Sequence, residues 1–479
     1  MAQFETLQAS KVFAALPAVP DEHTVDQLLA NELKNFNKKI IVLDDDPTGV
    51  QTVHGISVYT DWSAENIEAG FAEDNSMFFI LTNSRGFTAE ETEKAHKEIA
   101  SVIRETADKH NKDFIIISRG DSTLRGHYPL ETEVLKNTVE AQSDVSFDGE
   151  VIMPFFQEGG RVTINNVHYV QDEELLIPAG ETEFAKDRTF GYTSSHLGEW
   201  AEEKSMGAFK ASDAIYLSLE DIRSLRIDHL VDQLMSAGDF NKVIVNATQY
   251  IDAKVVVIAL IRAMNAGKHF MFRSAAALTK IIGGISNRGL LTKQELIKDD
   301  NGNGGLIMIG SHVKKTTEQF EVLKTSSFIE FIEFDVHLVL HPEKFQAEIE
   351  RVIETTERLI RQGQTVAVYT KRERLDLGDN QQEKELKLSV KISDAVTSIV
   401  KKLSVRPSFI IAKGGITSSD IGTNGLSVKR ATVAGQIKPG IPVWLTGSES
   451  KYPGLAYVIF PGNVGSKTSL KEVAELLHS

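Results

Sequence analysis

The chain has 479 residues, 41% hydrophobic and 25% charged, a composition that excludes fibrous, collagen-like and disordered classes. Its net charge of −15 repels polyanions, and its lack of cysteine excludes disulfides, thiol nucleophiles and cysteine-ligated metals. No apolar run approaches the ~18–20 residues of a membrane span, and the start of the sequence lacks the features of a signal peptide. We therefore expect a cytoplasmic protein with neither nucleic-acid nor membrane partners. The sequence leaves a homo-oligomer open.

Residues 1–37 form a predicted N-terminal extension with one helix, in which apolar side chains recur at helical spacing: Val25, Leu28, Leu29 and Leu33. From residue 38 short apolar runs alternate with longer amphipathic segments, which is typical of a parallel sheet with crossover helices. The first predicted strands are Ile40–Leu43, Met77–Leu81, Phe114–Ile117 and Val151–Met153. Thr88-Ala89-Glu90-Glu91 is a capping box and predicts a helix that ends near His110.

The stretch Gly159–Gly180 interrupts this alternation. Its apolar residues flank Asn165-Asn166, which predicts a β-hairpin with a turn at the two asparagines. The hairpin belongs to a longer insertion or flap that extends to Gly191. Beyond it, strands are predicted at Ala214–Leu217, Val243–Val245 and Phe270–Phe272.

The polar, glycine-rich run Asp299–Gly305 predicts a domain boundary. After it we predict a helix over Pro342–Arg361 and the strands Leu306–Ile309, Ile329–Phe334, Val366–Tyr369, Phe409–Ile411, Val443–Leu445 and Val458–Phe460. The fold class is therefore α/β, with two α/β domains at residues 38–300 and 301–479. Each domain is expected to hold a mostly parallel sheet flanked by helices, with a ligand cleft between the domains.

Three consecutive acids follow the first apolar strand: Asp44, Asp45 and Asp46. Adjacent carboxylates repel one another, so they are tolerated where solvent, a metal ion or cationic groups share the site. The pattern favours Mg²⁺ binding or proton abstraction. An acidic turn that ends the strand at Asp46-Pro47 is the alternative.

Arginines follow the next two strands. Arg85 could clamp a ligand carboxylate with its guanidinium fork, or it could form a salt bridge to the three acids. After Phe114–Ile117 comes a dense hydrogen-bonding set that suits a small polyhydroxylated anion: Arg119, Gly120, Asp121, Ser122, Thr123 and Arg125. Open α/β sheets bind ligands at the carboxyl ends of strands, where these residues are predicted to lie.

Small-residue turns follow three strands of the second half, at Gly310-Ser311, Gly414–Thr417 and Pro461–Thr468. Glycines let backbone N–H groups approach phosphate oxygens, so these turns predict a nucleotide site, with purely structural turns as the alternative. The last turn is not a P-loop, because Ser466 separates Gly465 from Lys467.

These motifs resemble those of the four-carbon acid sugar kinases, which phosphorylate tetronates such as erythronate, threonate or 3-oxo-tetronate. The resemblance runs from about residue 38 to the C-terminus. It rests on Asp45–Gly49, Thr82–Arg85, Asp121–Gly126, Gly310-Ser311 with Thr317 and Gln319, Gly414–Thr417 and Pro461–Gly465. It implies an ATP-dependent kinase whose N-terminal domain binds the sugar acid and whose C-terminal domain binds ATP. The expected cofactors are ATP and Mg²⁺.

The resemblance also implies site residues. Those implied for the substrate are Asp45, Arg85, Arg119, Gly120, Asp121 and Ser122. Those implied for ATP are Ser311, Gly414, Gly415, Ile416, Thr417, Gly462, Asn463, Val464 and Gly465. Arg119-Gly120 stands where the family usually has a lysine and an apolar residue, and this departure leaves the identity of the sugar acid open.

The mechanism that follows assigns proton abstraction or Mg²⁺ binding to Asp45 or Asp46, and pairing of the substrate carboxylate to Arg85 and Arg125. Asp44–Thr48 also matches the Asp-x-Asp-x-Thr pattern of aspartate-nucleophile phosphatases, with Asp44 as nucleophile and Asp46 as acid/base. A sugar-acid binding protein without catalysis is the third hypothesis.

Overall fold

The structure is a computed structural model that describes residues 4–298, 301–373 and 382–478. The chain divides into two compact units: unit 1 comprises Met1–Gly49 and Asp61–Asn287, and unit 2 comprises Val50–Thr60 and Arg288–Ser479. The segment Val50–Thr60 was predicted to lie in the first domain, residues 38–300, and it clusters with unit 2. Asp299 and Asp300, where the predicted boundary falls, lie outside the described residues.

The strands are short and most of them are buried. In chain order they are β1 (Leu7–Gln8), β2 (Lys39–Asp44), β3 (Ser57–Tyr59), β4 (Met77–Leu81), β5 (Phe114–Arg119), β6 (Gly149–Met153), β7 (Arg161–Ile164), β8 (Val167–Asp172), β9 (Leu175–Pro178), β10 (Ile215–Leu217), β11 (Asn241–Val245), β12 (Phe270–Ser274), β13 (Leu306–Ile309), β14 (Ile329–Phe334), β15 (Thr365–Thr370), β16 (Phe409–Lys413), β17 (Arg430–Lys438), β18 (Ile441–Thr446) and β19 (Ala456–Phe460).

Helices connect these strands. In chain order they are α1 (Ala9–Ala15), α2 (Glu22–Lys34), α3 (Ala64–Ala72), α4 (Ala89–His110), α5 (Leu130–Ala141), α6 (Leu197–Lys204), α7 (Leu219–Arg223), α8 (Ile227–Met235), α9 (Tyr250–Asn265), α10 (Ala276–Ile282), α11 (Lys293–Leu296), α12 (Lys314–Leu323), α13 (Pro342–Arg361), α14 (Gln382–Lys402), α15 (Gly415–Asp420) and α16 (Ser469–His478). Within the described residues, no helix has the length and apolar character needed to cross a membrane.

Unit 1 contains a parallel sheet in the order β10-β11-β6-β12-β5-β2-β4. Every residue of β2 and β4 is buried, which explains why these strands appear in the sequence as unbroken apolar runs. The predicted helix that begins after Thr88 is confirmed as α4, with both hydrogen bonds of the capping box present. The strands of this sheet end at one edge, because they run in the same direction.

A second, antiparallel sheet of unit 1 has the order β1-β9-β8-β7. The predicted hairpin is confirmed: Asn165 and Asn166 connect β7 to β8 with φ angles of 49° and 68°. Positive φ at both turn residues is the geometry that matches the twist of a two-residue hairpin.

Unit 2 contains a mixed sheet in the order β3-β17-β18-β19-β16-β13-β15-β14. The pairs along β19-β16-β13-β15-β14 are parallel. The pairs along β3-β17-β18-β19 are antiparallel. The α/β class with mostly parallel sheets and flanking helices is confirmed. The predicted strand Val443–Leu445 lies in β18, in the antiparallel part, and β3 and β17 were not predicted.

Polar contacts connect the N-terminal segment to the rest of unit 1. The predicted helix is α2, and the Asp21 carboxylate caps it by accepting from the Thr24 N–H at 2.8 Å. Arg223 donates from Nη1 to the Pro17 carbonyl oxygen at 2.7 Å. The same guanidinium forms a two-point pair with the Asp252 carboxylate, at 2.8 Å from Nε and 3.1 Å from Nη2.

Asp252→Ala is expected to lower the free energy of unfolding by about 3–5 kcal/mol, because it leaves the buried Arg223 guanidinium without its carboxylate. The measurement is thermal and urea unfolding followed by circular dichroism. Arg226→Ala is the matched control: it removes an exposed pair with Asp221, whose N···O distance is 3.0 Å, and should change stability by less than about 1 kcal/mol. Equal losses in both variants would contradict the assignment.

Candidate functional site

Charged side chains collect at the carboxyl edge of the parallel sheet of unit 1. They follow or end β2, β4, β5 and β12, which are neighbours in that sheet. We call this set the acid–arginine cluster, and its members are Asp44, Asp45, Asp46, Arg85, Arg119, Asp121, Arg125 and Arg273. The structure therefore brings together the predicted catalytic acids and the predicted substrate-binding arginines.

The Asp45 carboxylate forms a two-point salt bridge with Arg85. The Arg85 guanidinium donates to Asp45 from Nε at 3.1 Å and from Nη2 at 2.7 Å, and it also contacts Asp46 from Nη1 at 3.4 Å. Burial raises the pKa of Asp45, and the Arg85 charge opposes that shift. Of the two interpretations of Arg85, the structure shows the salt bridge to the acids. A contact with substrate stays a prediction.

Asp44 lies deepest in the cluster, with a side chain that is 1% exposed. A Cβ atom on Gly49 would lie 2.0 Å from its carboxylate oxygens, so the glycine leaves the space that this carboxylate fills. Arg119 Nη1 lies 3.5 Å from Asp44 Oδ1 and 3.9 Å from Asp45 Oδ1. Burial raises the pKa of Asp44 well above its ordinary value, even though Arg119 opposes the shift.

The loop after β5 is held by its own ion pair. Asp121 accepts from Arg125 Nε at 2.6 Å and from the Thr123 hydroxyl group. Burial would raise the pKa of Asp121, but the guanidiniums of Arg125 and Arg85 outweigh it and hold that pKa well below its ordinary value. Asp121 is therefore a fixed negative charge.

A histidine of the hairpin positions Ser122. His168 is buried, and its Nε2 lies 2.8 Å from the Ser122 carbonyl oxygen, which can only accept. The proton is therefore on Nε2, and Nδ1 accepts from the Thr163 hydroxyl group at 3.0 Å. Burial lowers the pKa of His168 to about 4, which keeps the ring neutral near pH 7.

Arg273 is a member of the cluster that the sequence analysis missed. It is 4% exposed and donates from Nη2 to the Arg125 carbonyl oxygen at 2.8 Å. Its Nη1 atom lies 1.2 Å from where a Cβ atom of Gly120 would be, so the guanidinium occupies the space beside that glycine. The sequence signal was an arginine at the end of the apolar run Phe270–Phe272.

A second missed residue is Glu131 of α5, which accepts from the Ser84 hydroxyl group at 2.7 Å. Its side chain is buried, and His96 Nε2 lies 4.0 Å from Oε1. Glu131 anchors the loop after β4, next to Arg85. No motif in the sequence connects residue 131 to that loop, because the two are distant along the chain.

The cation that the structure places beside two acids of the cluster is the Arg85 guanidinium. Asp45 and Asp46 accept from Arg85, and Asp44 lies against Gly49. Within the described residues, no group of three or more histidine or acidic side chains is arranged to hold a metal ion. At phosphoryl-transfer sites Mg²⁺ is usually held by one or two carboxylates together with phosphate oxygens and water. Binding of Mg²⁺ by Asp45 or Asp46 therefore stays a prediction.

In unit 2, three predicted turns lie beside one another at the carboxyl ends of β13, β16 and β19, which are neighbours in the sheet. Gly414 has φ 121°, and a Cβ atom there would lie 2.9 Å from the Ser311 Cβ atom. The Thr316 hydroxyl group lies 3.2 Å from both Ser311 Oγ and the Gly462 carbonyl oxygen. The close approach of these backbones depends on the glycines.

Buried side chains hold the last of these turns in place. Lys413 donates from Nζ to the carbonyl oxygens of Pro461 at 2.5 Å and Gly462 at 3.3 Å. Gln319 donates to the carbonyl oxygens of Val464 at 3.0 Å and Ser466 at 2.8 Å. Burial lowers the pKa of Lys413 well below its ordinary value.

The remaining predicted nucleotide residues differ in exposure. Thr417 approaches Gly310, where a Cβ atom would lie 2.4 Å from the Thr417 hydroxyl oxygen. Ile416 is 76% exposed and Asn463 is also exposed, whereas Val464 is buried. Arg372, which was not predicted, donates from Nη1 to the Ser311 carbonyl oxygen at 2.7 Å and fixes that turn.

Two family models match the chain in succession. Residues 40–282 match the sugar-binding N-terminal domain, and residues 306–470 match the nucleotide-binding C-terminal domain. Together with the fold, these matches define a protein with a sugar-binding type of domain followed by a nucleotide-binding type of domain. The chain belongs to the four-carbon acid sugar kinase family.

Two solved structures share the fold. Haemophilus influenzae protein HI1011, of the family DUF1537, is 17% identical with a TM-score of 0.58, over 91% of this chain and 100% of that chain. A Salmonella typhimurium LT2 protein provisionally named as a tRNA synthase is 16% identical with a TM-score of 0.61, over 90% of this chain and 97% of that chain. No curated protein matches the chain.

Gly120→Ala is expected to displace the Arg273 guanidinium, because the new Cβ atom would overlap Nη1. We expect a loss of about 1–3 kcal/mol in stability, typical of an overpacked site. Gly238→Ala is the matched control, since no atom lies within 4 Å of its added Cβ atom. Thermal unfolding of both variants checks this, and an unchanged midpoint for Gly120→Ala would contradict the close approach.

Gly414→Ala is expected to weaken nucleotide binding at least about 10-fold, because the methyl group pushes the turn away from Ser311. Gly454→Ala is the control, because Gly454 also has a positive φ, 68°, but has no atom within 4 Å of an added Cβ and is not assigned to the nucleotide. Titration with ATP in a calorimeter measures both variants, and the affinity of Gly454→Ala should match that of the wild type. An unchanged affinity of Gly414→Ala would contradict the assignment of this turn to the nucleotide.

Proposed function

We propose that the chain is an ATP-dependent kinase that phosphorylates a hydroxyl group of a four-carbon sugar acid, such as a tetronate or a 3-oxo-tetronate. The observation that carries the proposal is that the two units hold different kinds of residues at the carboxyl ends of their parallel strands. Unit 1 gathers arginines and acids at one sheet edge, a set suited to a polyhydroxylated anion. Unit 2 gathers backbone turns with small residues at one sheet edge, a set suited to phosphates.

In this proposal the acid–arginine cluster and Gly120 and Ser122 bind the sugar acid. ATP is held by Ser311, Gly414, Gly415, Ile416, Thr417, Gly462, Asn463, Val464 and Gly465. The substrate hydroxyl oxygen attacks the γ-phosphorus, the bond from that phosphorus to the β–γ bridging oxygen breaks, and ADP leaves. The hydroxyl proton passes to a carboxylate of the cluster.

The exposed fractions of the acids favour Asp46 as the carboxylate that meets the substrate. The Asp46 side chain is 16% exposed, whereas that of Asp45 is 3% exposed. Arg85 binds Asp45 at two points and Asp46 by one longer contact of 3.4 Å. We therefore assign proton abstraction to Asp46 and the positioning of Arg85 to Asp45.

The phosphatase hypothesis requires Asp44 to attack a phosphate ester. Its side chain is 1% exposed, and its carboxylate fills the space beside Gly49. Burial raises its pKa, which favours the neutral and poorly nucleophilic form. These observations argue against Asp44 as a nucleophile.

Release of ADP is the test of the proposed activity. The purified full-length chain is incubated with ATP, Mg²⁺ and each member of a panel of tetronates and 3-oxo-tetronates, and ADP is measured by a coupled assay. Sugar-acid-dependent release supports the kinase. Binding of a sugar acid without ADP release would favour a binding protein, and phosphate-ester hydrolysis without ATP would favour the phosphatase.

Asp46→Asn is expected to lower kcat by about 10²- to 10⁴-fold, the usual contribution of a general base. Asp45→Ala should abolish turnover, because Arg85 loses the partner that fixes it. Both variants should bind ATP as the wild type does, since these residues are assigned to the sugar acid. Asp113→Asn, with an 80% exposed side chain, is the control. Normal turnover of Asp46→Asn would remove that acid from the mechanism.

A further inference from the structure

The insertion at residues 159–191 supplies side chains to the acid–arginine cluster. Phe184 faces Arg125, whose guanidinium carbon lies 5.1 Å from the ring centroid. Arg161 lies against the same ring, with its guanidinium carbon 5.9 Å from the centroid. The Phe184 ring therefore has two guanidinium groups beside it, one from the loop after β5 and one from the first strand of the hairpin.

Arg161 is a buried cation that forms no salt bridge with a carboxylate of the described residues, and the Asp121 charge acts on it only from a longer distance. Arg161 is 8% exposed, its Nε atom has no hydrogen-bond partner, and its Nη1 atom donates to the Gly159 carbonyl oxygen. Within the described residues it forms no ion pair. Burial lowers the pKa of Arg161, and the carboxylate of Asp121 opposes that shift. A buried cation without a paired anion is costly, so such groups are typical of binding sites for anions.

Three arginines of the acid–arginine cluster, Arg85, Arg119 and Arg125, already have a carboxylate within 4 Å. Arg273 forms no such ion pair among the described residues, but its Nη2 atom donates to the Arg125 carbonyl oxygen. Arg85 pairs with Asp45, with an N···O distance of 2.7 Å. Arg125 donates from Nε to the Asp121 carboxylate at 2.6 Å. Its Nη1 atom points toward Asp187. All three guanidinium nitrogens of Arg85 therefore contact a carboxylate, whereas Arg161 forms no ion pair with the described residues.

The contact between Arg125 and Asp187 is loose. Arg125 Nη1 lies 3.8 Å from Asp187 Oδ2, which is beyond hydrogen-bond distance, and the Asp187 side chain is 28% exposed. The other oxygen, Oδ1, accepts from the N–H groups of Thr189 at 2.9 Å and Phe190 at 3.0 Å. Asp187 Oδ1 thus stabilises a turn of the backbone, while Oδ2 lies near Arg125 without a hydrogen bond to it.

We propose that Arg161 and Arg125, beside the ring of Phe184, bind the carboxylate of the sugar acid, with Arg161 as the residue that selects an acid over a neutral polyol. This inference rests on the proposed function, because it takes the sugar acid as the ligand of unit 1. It moves the carboxylate contact from Arg85 to Arg161. The insertion then determines substrate choice, and the ligand carboxylate takes the place of Asp187 beside Arg125.

Arg161→Met is the first test. The affinity for erythronate and threonate should fall roughly 10- to 100-fold, the loss expected for a hydrogen bond to a charged group. Since the variant removes an unpaired buried charge, the melting temperature without ligand should stay the same or rise. KM for the sugar acid should rise, with KM for ATP unchanged. Arg188→Gln, which alters an exposed arginine of the same insertion, should match the wild type.

Asp187→Asn should change affinity in the opposite direction. The amide oxygen can accept from Thr189 and Phe190 as the carboxylate does, while the competing negative charge is removed. We therefore expect tetronates to bind about 3- to 10-fold more tightly, as for the loss of a weak, partly exposed charge interaction. Erythritol, a neutral four-carbon polyol, should bind equally to the wild type and to all these variants.

Calorimetric titration of tetronate without ATP separates this inference from the proposed kinase activity. Tetronate binding that depends on Arg161, without ADP release, supports the subsite and contradicts the kinase. ADP release with an unchanged KM in Arg161→Met supports the kinase and overturns the subsite. A lower melting temperature with unchanged tetronate affinity would also overturn it, since Arg161 would then have a structural role alone.

Discussion

Compensation of buried charge at one sheet edge is the constraint on which unit 1 depends. Four parallel strands, β2, β4, β5 and β12, end there with acids and arginines. The two-point contact between Arg85 and Asp45, at 3.1 and 2.7 Å, lets a carboxylate that is 3% exposed stay inside the protein. Gly49 and Gly120 leave room for the Asp44 carboxylate and the Arg273 guanidinium. The charges at this edge are therefore compensated largely by contacts within unit 1.

Much of the fold could be predicted because apolar runs mark parallel strands. Met77–Leu81 and Leu306–Ile309 were predicted with their observed bounds, since strands buried on both faces have no polar interruptions. The pairing of β3 with β17 was missed, because it joins Ser57–Tyr59 to residues more than 370 positions later and neither strand is an unbroken apolar run. Strand propensity and the spacing of apolar residues are read from neighbouring positions in the sequence, so they carry no information about a pairing between such distant segments.

For the site, the sequence indicated the acids, the arginines and the turns but not their partners. For Arg85, the sequence left open whether the guanidinium contacts a ligand carboxylate or the carboxylates of Asp44–Asp46. Only the folded chain shows that it contacts Asp45. Arg273 and Arg161 were not singled out, because each lies in or beside an apolar strand pattern far in sequence from Gly120 and Phe184. Their roles depend on neighbours that only the folded chain supplies.

The buried basic side chains of this protein differ in whether a carboxylate of the chain pairs with them. Arg85, Arg119 and Arg125 each lie near a carboxylate of the chain, so much of their charge is neutralised without a ligand. Lys413 is also buried, but two carbonyl oxygens of the last turn accept from it, and its contacts are those of a structural group. Arg161 has neither a carboxylate nor a full set of acceptors. Under the proposed function, the anion that would pair with Arg161 is the carboxylate of the sugar acid, so we expect substrate choice to depend on the insertion.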